Sequence, residues 1–156
     1  MTLPEFPVGG GCQCGAVRYR LKAAPRAIYS CHCKDCQRFS GATHTISMVV
    51  RRADFEIAAG APAGYDRLAD SGRVVRMMAC PICGVKSWNE PLASPDLIIL
   101  KAGSLDDMGW AAPVGNIWTD SAPPWTRFDP DVPNFPGQPP DRQTLIDAYA
   151  AAVARA

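Results

Sequence analysis

Seven cysteines lie in three short clusters: Cys12-Gln13-Cys14, Cys31-His32-Cys33-Lys34-Asp35-Cys36 and Cys80-Pro81-Ile82-Cys83. Such spacing lets neighbouring thiolates converge on one ion, as in zinc sites. Cys83-Gly84 has the form of a zinc knuckle, in which a glycine at positive φ turns backbone N–H groups towards the sulfurs, and Cys14-Gly15 repeats it. A closed tetrahedral zinc takes four ligands. The first and third clusters supply two each: Cys12, Cys14, Cys80 and Cys83. The middle cluster supplies three: Cys31, Cys33 and Cys36. A three-thiolate zinc keeps a position open for water or a substrate, the mark of a catalytic site. This partition implies two zinc ions per chain. Spacing alone also allows Cys33 and Cys36 to join Cys80 and Cys83.

Other uses of the thiols fit less well. An odd number of cysteines leaves full disulfide pairing within one chain impossible. A thioredoxin-like Cys-x-x-Cys opens a helix after a strand, whereas Val85-Lys86-Ser87-Trp88 after Cys83 reads as strand. An iron–sulfur cluster could use four thiolates and would leave three without a role. His32 lies between two ligands, and side chains alternate in extended backbone, so it is expected beside the metal rather than on it. His44 is read as a packed or exposed residue near the middle cluster. An incoming thiol at the open position would be held as thiolate, hence nucleophilic, and the site would be net negative. Lys34, Arg38 and Arg76 are the cations that could offset that charge.

These clusters need short, well-tied elements to carry them. Ala16 to Leu21 alternates as a half-buried strand, and Ala27-Ile28-Tyr29 leads a second strand into the middle cluster. Thr45 to Val50 alternates again, Phe55 and Ile57 mark a short strand, and Arg73 to Ala79 delivers Cys80. Leu97 to Leu100 is a continuous apolar run of the kind found in buried strands, and Asn116 to Thr119 is a further short strand. The proline-rich stretch from Pro123 to Pro140 carries Trp125, Phe128 and Phe135, which suggests that it packs over the domain. Asp141 is the expected N-cap of a C-terminal helix over about 141–154, with Leu145, Ile146, Tyr149 and Val153 on one face. Tyr65, Trp88, Trp110, Trp118 and Trp125 are mostly expected in the core.

The chain has 156 residues, 15 Pro, 13 Gly and a formal net charge of +1. Length predicts a single domain over 1–156, and the turn-rich composition predicts a mainly β fold. No basic run suggests nucleic acid, and the aromatics do not interleave with cations. The longest apolar run is too short to span a bilayer. Met1 to Pro7 has neither a positive nor an apolar segment of a secretory signal, so the cytoplasm, where thiols stay reduced, is the expected compartment.

Gly10-Gly11-Cys12-Gln13-Cys14-Gly15-Ala16-Val17-Arg18-Tyr19, the run Cys31 to Ala42, and Cys80-Pro81-Ile82-Cys83-Gly84 together resemble the motifs of the glutathione-dependent formaldehyde-activating enzyme and centromere protein V family. Gly103 to Asp107, Ile117-Trp118-Thr119 and Pro124-Trp125 match later landmarks in order. The resemblance covers about 9–135. It implies a β-tent fold of short antiparallel sheets around zinc. It also implies a structural zinc on Cys12, Cys14, Cys80 and Cys83, and a second zinc on Cys31, Cys33 and Cys36, where glutathione engages. The implied reaction joins formaldehyde to glutathione as S-hydroxymethylglutathione, in reverse a carbon–sulfur lyase. Three departures concern the pocket rather than the ligands: Asn116 stands where the family often has His, Thr43-His44-Thr45 follows Ser-Gly-Ala, and Val85 to Trp88 follows Cys-Gly. The alternative readings are a non-catalytic zinc module that binds a protein or small ligand, and a thiol or metal sensor.

Overall fold

The computed structural model describes residues 1–69 and 72–155. Eleven strands and two α-helices are present among them. In chain order the elements are β1 (Val8–Gly11), β2 (Arg18–Leu21), β3 (Ala27–Cys31), α1 (Lys34–Ser40), β4 (Thr45–Arg51), β5 (Phe55–Ala59), β6 (Ala63–Leu68), β7 (Val74–Ala79), β8 (Lys86–Pro91), β9 (Leu97–Lys101), β10 (Asn116–Ile117), β11 (Asn134–Phe135) and α2 (Gln143–Ala154). One sheet has the order β1-β2-β5, and the other β11-β10-β3-β4-β9-β8-β7-β6. Pairing is antiparallel except at β10, which runs parallel to both β3 and β11. The mainly β expectation and the C-terminal helix are both present.

Register divides the large sheet into two faces, because side chains alternate along each strand. Ile28, Met48, Leu100, Trp88 and Met78 form one cross-strand row. The first four are buried and face the small sheet, whose Tyr19 and Leu21 are buried as well. The rings of Tyr19, Phe55 and Trp88 meet at centroid distances of 4.9–6.2 Å and join the two sheets. The opposite face carries Cys31–Thr45, Tyr29–Ser47–Lys101 and Ala27–Val49–Ile99–Asn89–Met77. β4 and β9 lie inside the sheet and are buried on both faces, which explains the continuous apolar run of β9.

α2 packs on β3 with Leu145 and Tyr149 buried. Its cap is shifted from the expected position. The helix starts at Gln143 with Arg142 as N-cap, while the Asp141 carboxylate accepts hydrogen bonds from the Gln143 and Thr144 N–H groups at 2.8 and 3.4 Å. The expected strand at Asn116 to Thr119 stops after Ile117, because Trp118 takes φ 60° and starts a 3-10 turn over Thr119–Ser121. Phe135 packs against the core and Phe128 reaches the ring of His32, whereas Trp125 is exposed. Trp88 is in the core, Trp110 and Trp118 pack on it, and Tyr65 is exposed. No helix among the described residues is long and apolar enough to cross a membrane.

Candidate metal centres and cavity

Each of the two outer cysteine clusters is the turn of a hairpin. Cys12 and Cys14 join β1 to β2, and Cys80 and Cys83 join β7 to β8. The turns close alike. The Cys12 N–H donates to the Val17 carbonyl at 3.0 Å, and the Cys80 N–H to the Val85 carbonyl at 2.9 Å. Gly15 and Gly84 take φ 79° and 74°, as the knuckle requires, and a Cβ at either would meet nothing within 4 Å, so their need is conformational rather than spatial. One hairpin belongs to each sheet, so the four thiols meet where the sheets join.

The Sγ atoms of Cys12, Cys14, Cys80 and Cys83 all lie within 4.8 Å of one another, and so do those of Cys31, Cys33 and Cys36. This is the partition favoured from the cluster count, and Cys33 and Cys36 do not join Cys80 and Cys83. Sulfur separations are 3.5 Å for Cys12–Cys14, 3.7 Å for Cys14–Cys80 and 3.6 Å for Cys31–Cys33. A disulfide needs about 2.05 Å. Zinc holds sulfur at about 2.3 Å, so the edge of its tetrahedron is about 3.8 Å. Both clusters therefore fit a single zinc ion. An iron–sulfur cluster attaches its thiolates to different irons and spreads them wider than one ion's shell. The Val17 N–H, donating at 3.2 Å, pulls the Cys12 thiol down to about 6. Cys36 is pushed well below the ordinary thiol range by the Cys31 and Cys33 thiols, with help from Lys101, while Cys31 is driven up by Cys33 and Cys36.

The middle cluster is built differently. Cys31 ends β3, and Cys33 is the N-cap of α1, its sulfur accepting the Cys36 N–H at 3.4 Å. One turn of helix thus brings Cys36 back over Cys33. The three thiols form part of the wall of a cavity of about 700 Å³ on the open face of the large sheet. Val49, Val75, Met77 and Ile99 supply apolar lining, and Arg26, Arg67, Arg73 and Arg142 supply positive charge. Arg67 pairs with Asp35 of α1.

None of the cations chosen from the sequence lines this cavity. Lys34 is exposed and donates to Gln37 and to the Ser121 carbonyl, Arg38 is exposed, and Arg76 forks onto Asp66 at 2.7 and 2.9 Å. Lys101 is there instead. It is 6% exposed, and its Nζ lies 2.9 Å from Ser47 Oγ, 3.3 Å from Thr45 Oγ1 and 3.9 Å from Cys36 Sγ. The only sequence signal for it is a lysine ending an apolar strand two residues before Gly103.

His32 is buried, stacks on His44 at 4.9 Å and meets the edge of Phe128 at 5.1 Å. Asn116 Nδ2 donates to Asn134 Oδ1, so its Oδ1 is left to accept from His32 Nε2 at 3.2 Å. That fixes the Nε2–H tautomer and leaves His32 Nδ1 without a partner among the described residues. Burial holds the imidazolium of His32 below the usual histidine range. The two sequence departures Asn116 and His44 therefore meet at one place, behind the three-thiol site.

Fold and site together define a mainly β protein with one four-thiol and one three-thiol cluster, each able to hold a metal ion. The model of the family described as glutathione-dependent formaldehyde-activating enzyme matches residues 7–121, and the chain belongs to that family. No curated protein matches it. A crystal structure of a Rhodobacter sphaeroides protein is similar, with a TM-score of 0.50 and 20% identity over 63% of this chain and 87% of that one. That likeness concerns the fold alone.

Proposed function

We propose that this protein forms or cleaves a thiol adduct of a small aldehyde, acting as a zinc-dependent carbon–sulfur lyase. Glutathione and formaldehyde, giving S-hydroxymethylglutathione, are the first pair to test. Family membership supports this reading. The observation that carries it is the position of Cys31, Cys33 and Cys36 in the wall of a cavity large enough for a tripeptide thiol. In this reading Cys12, Cys14, Cys80 and Cys83 hold a structural zinc, and Cys31, Cys33 and Cys36 hold a second one with a free position. Zinc bound there favours the thiolate form of an incoming thiol.

The chain's own residues supply binding and orientation. The apolar wall of Val49, Val75, Met77 and Ile99 keeps water from the reacting sulfur, and Arg26 and Arg142 offer charge to substrate carboxylates. As the carbon–sulfur bond forms, the carbonyl π pair passes to oxygen, and the proton lost by the thiol ends on that oxygen. Holding both partners together contributes up to about 7–11 kcal/mol in favourable cases. The chemistry needs reduced thiols, which suits the cytoplasm.

The test is exchange spectroscopy on formaldehyde, glutathione and their adduct, with and without protein. The uncatalysed reaction sets the baseline. Faster interconversion with the wild-type protein, abolished in Cys33→Ser, is expected. A rate equal to baseline in protein carrying both metals rejects the reading.

A further inference from the structure

Lys101 is a buried ammonium with no carboxylate partner among the described residues. Such a charge is expensive to desolvate unless an opposite charge offsets it. Its polar neighbours are two hydroxyls, Thr45 and Ser47, and one group able to carry negative charge, the Cys36 thiol. Register sets this arrangement. Lys101 on β9 pairs with Ser47 on β4, and Thr45, two residues earlier on the same face, pairs with Cys31 on β3. The ring of Phe39, from α1, lies 5.5 Å from the ammonium and adds an aromatic face. The four-cysteine site is different: among the described residues no lysine or arginine donates to its sulfurs.

We propose that Lys101 is the counter-charge of the three-cysteine site and makes its free position select an anionic ligand over a neutral one. A divalent ion with three thiolates carries one net negative charge, and Lys101 brings the group to neutrality. A thiolate arriving as fourth ligand then meets a neutral site instead of an anionic one. Without Lys101 the repulsion falls on anionic ligands and spares neutral ones. This inference rests on the metal occupancy proposed above and does not depend on catalysis. Lys101 acts as a specificity determinant at the open position.

The experiment uses the full chain loaded with cobalt(II), whose visible bands report a change of ligand at the open site. The probes are 2-mercaptoethanol, which binds as thiolate and has no carboxylate to engage the arginines, and imidazole, which binds neutral. In Lys101→Met the thiol is expected to bind about tenfold or more weaker than in wild type, with imidazole affinity kept within about twofold. Lys101→Arg restores most of the thiol affinity. Lys101→Gln keeps a donor to Ser47 and removes the charge, so it serves if Lys101→Met does not fold, and it must show the same selective loss. Equal weakening of both probes, or no weakening of either, overturns the proposal. A wild-type protein that binds both probes yet fails to speed adduct exchange rejects the catalytic reading and leaves this one standing. A middle cluster that takes up no cobalt rejects both.

Discussion

Cys80→Ser removes one thiol from the four-cysteine cluster proposed to hold zinc, at a position outside every strand. Its cost follows from the connectivity of that site. Cys14 and Cys80 are 66 residues apart in sequence and 3.7 Å apart in space, in hairpins of different sheets. A bound ion there acts as a cross-link on the unfolded chain. Treated as a loop of that length, the clip contributes about 4 kcal/mol through chain entropy, by analogy with a disulfide. Domain stability is typically about 5–15 kcal/mol, so the loss is a large share of the margin. For a chain of this size it corresponds to a fall in Tm of about 8–16 °C, and unfolding outright if the margin is small. The assay is thermal melting by circular dichroism, with zinc content measured on the same samples. A Cys80→Ser protein with an unchanged melt would refute the claim that this site ties the two sheets together.

Cys33→Ser is expected to do the opposite. Serine is a strong N-cap, so α1 keeps its start while the site loses a thiolate. The fold should survive with one zinc fewer per chain, and loss of the circular dichroism spectrum would contradict the separation of the two sites. Trp88→Ala empties the aromatic junction with Tyr19 and Phe55 and should cost about 3–5 kcal/mol in denaturant unfolding. A loss below about 1 kcal/mol would show that the junction does not hold the sheets.

The knuckles could be read from the sequence because their information is local: ligand spacing and a glycine at a fixed offset. The strands β2, β4 and β9 were readable for the same reason, through alternation or a continuous apolar run. β1 was hidden because three of its four residues are Gly9, Gly10 and Gly11, which carry no strand pattern until β2 pairs with them. β6 was hidden because it is a largely exposed edge strand with no buried face. α1 gave no helical signal: it has seven residues, one of them buried, and a sulfur rather than an oxygen caps it. Lys101 was missed because its burial depends on Ser47, 54 residues earlier, and on a register that no local pattern encodes. The cations chosen instead, Lys34 and Arg38, are near the ligands in sequence but point to solvent or to loop carbonyls.

Two separate thiol clusters, each fit for one ion, are the central feature of the structure. Elemental analysis of zinc and iron per chain tests their occupancy most directly, on protein purified under reducing conditions with neither added metal nor chelator. Close to two zinc and no iron per chain are expected, falling to one zinc in Cys33→Ser. A single zinc in the wild-type protein, or iron in place of zinc, would contradict two zinc sites.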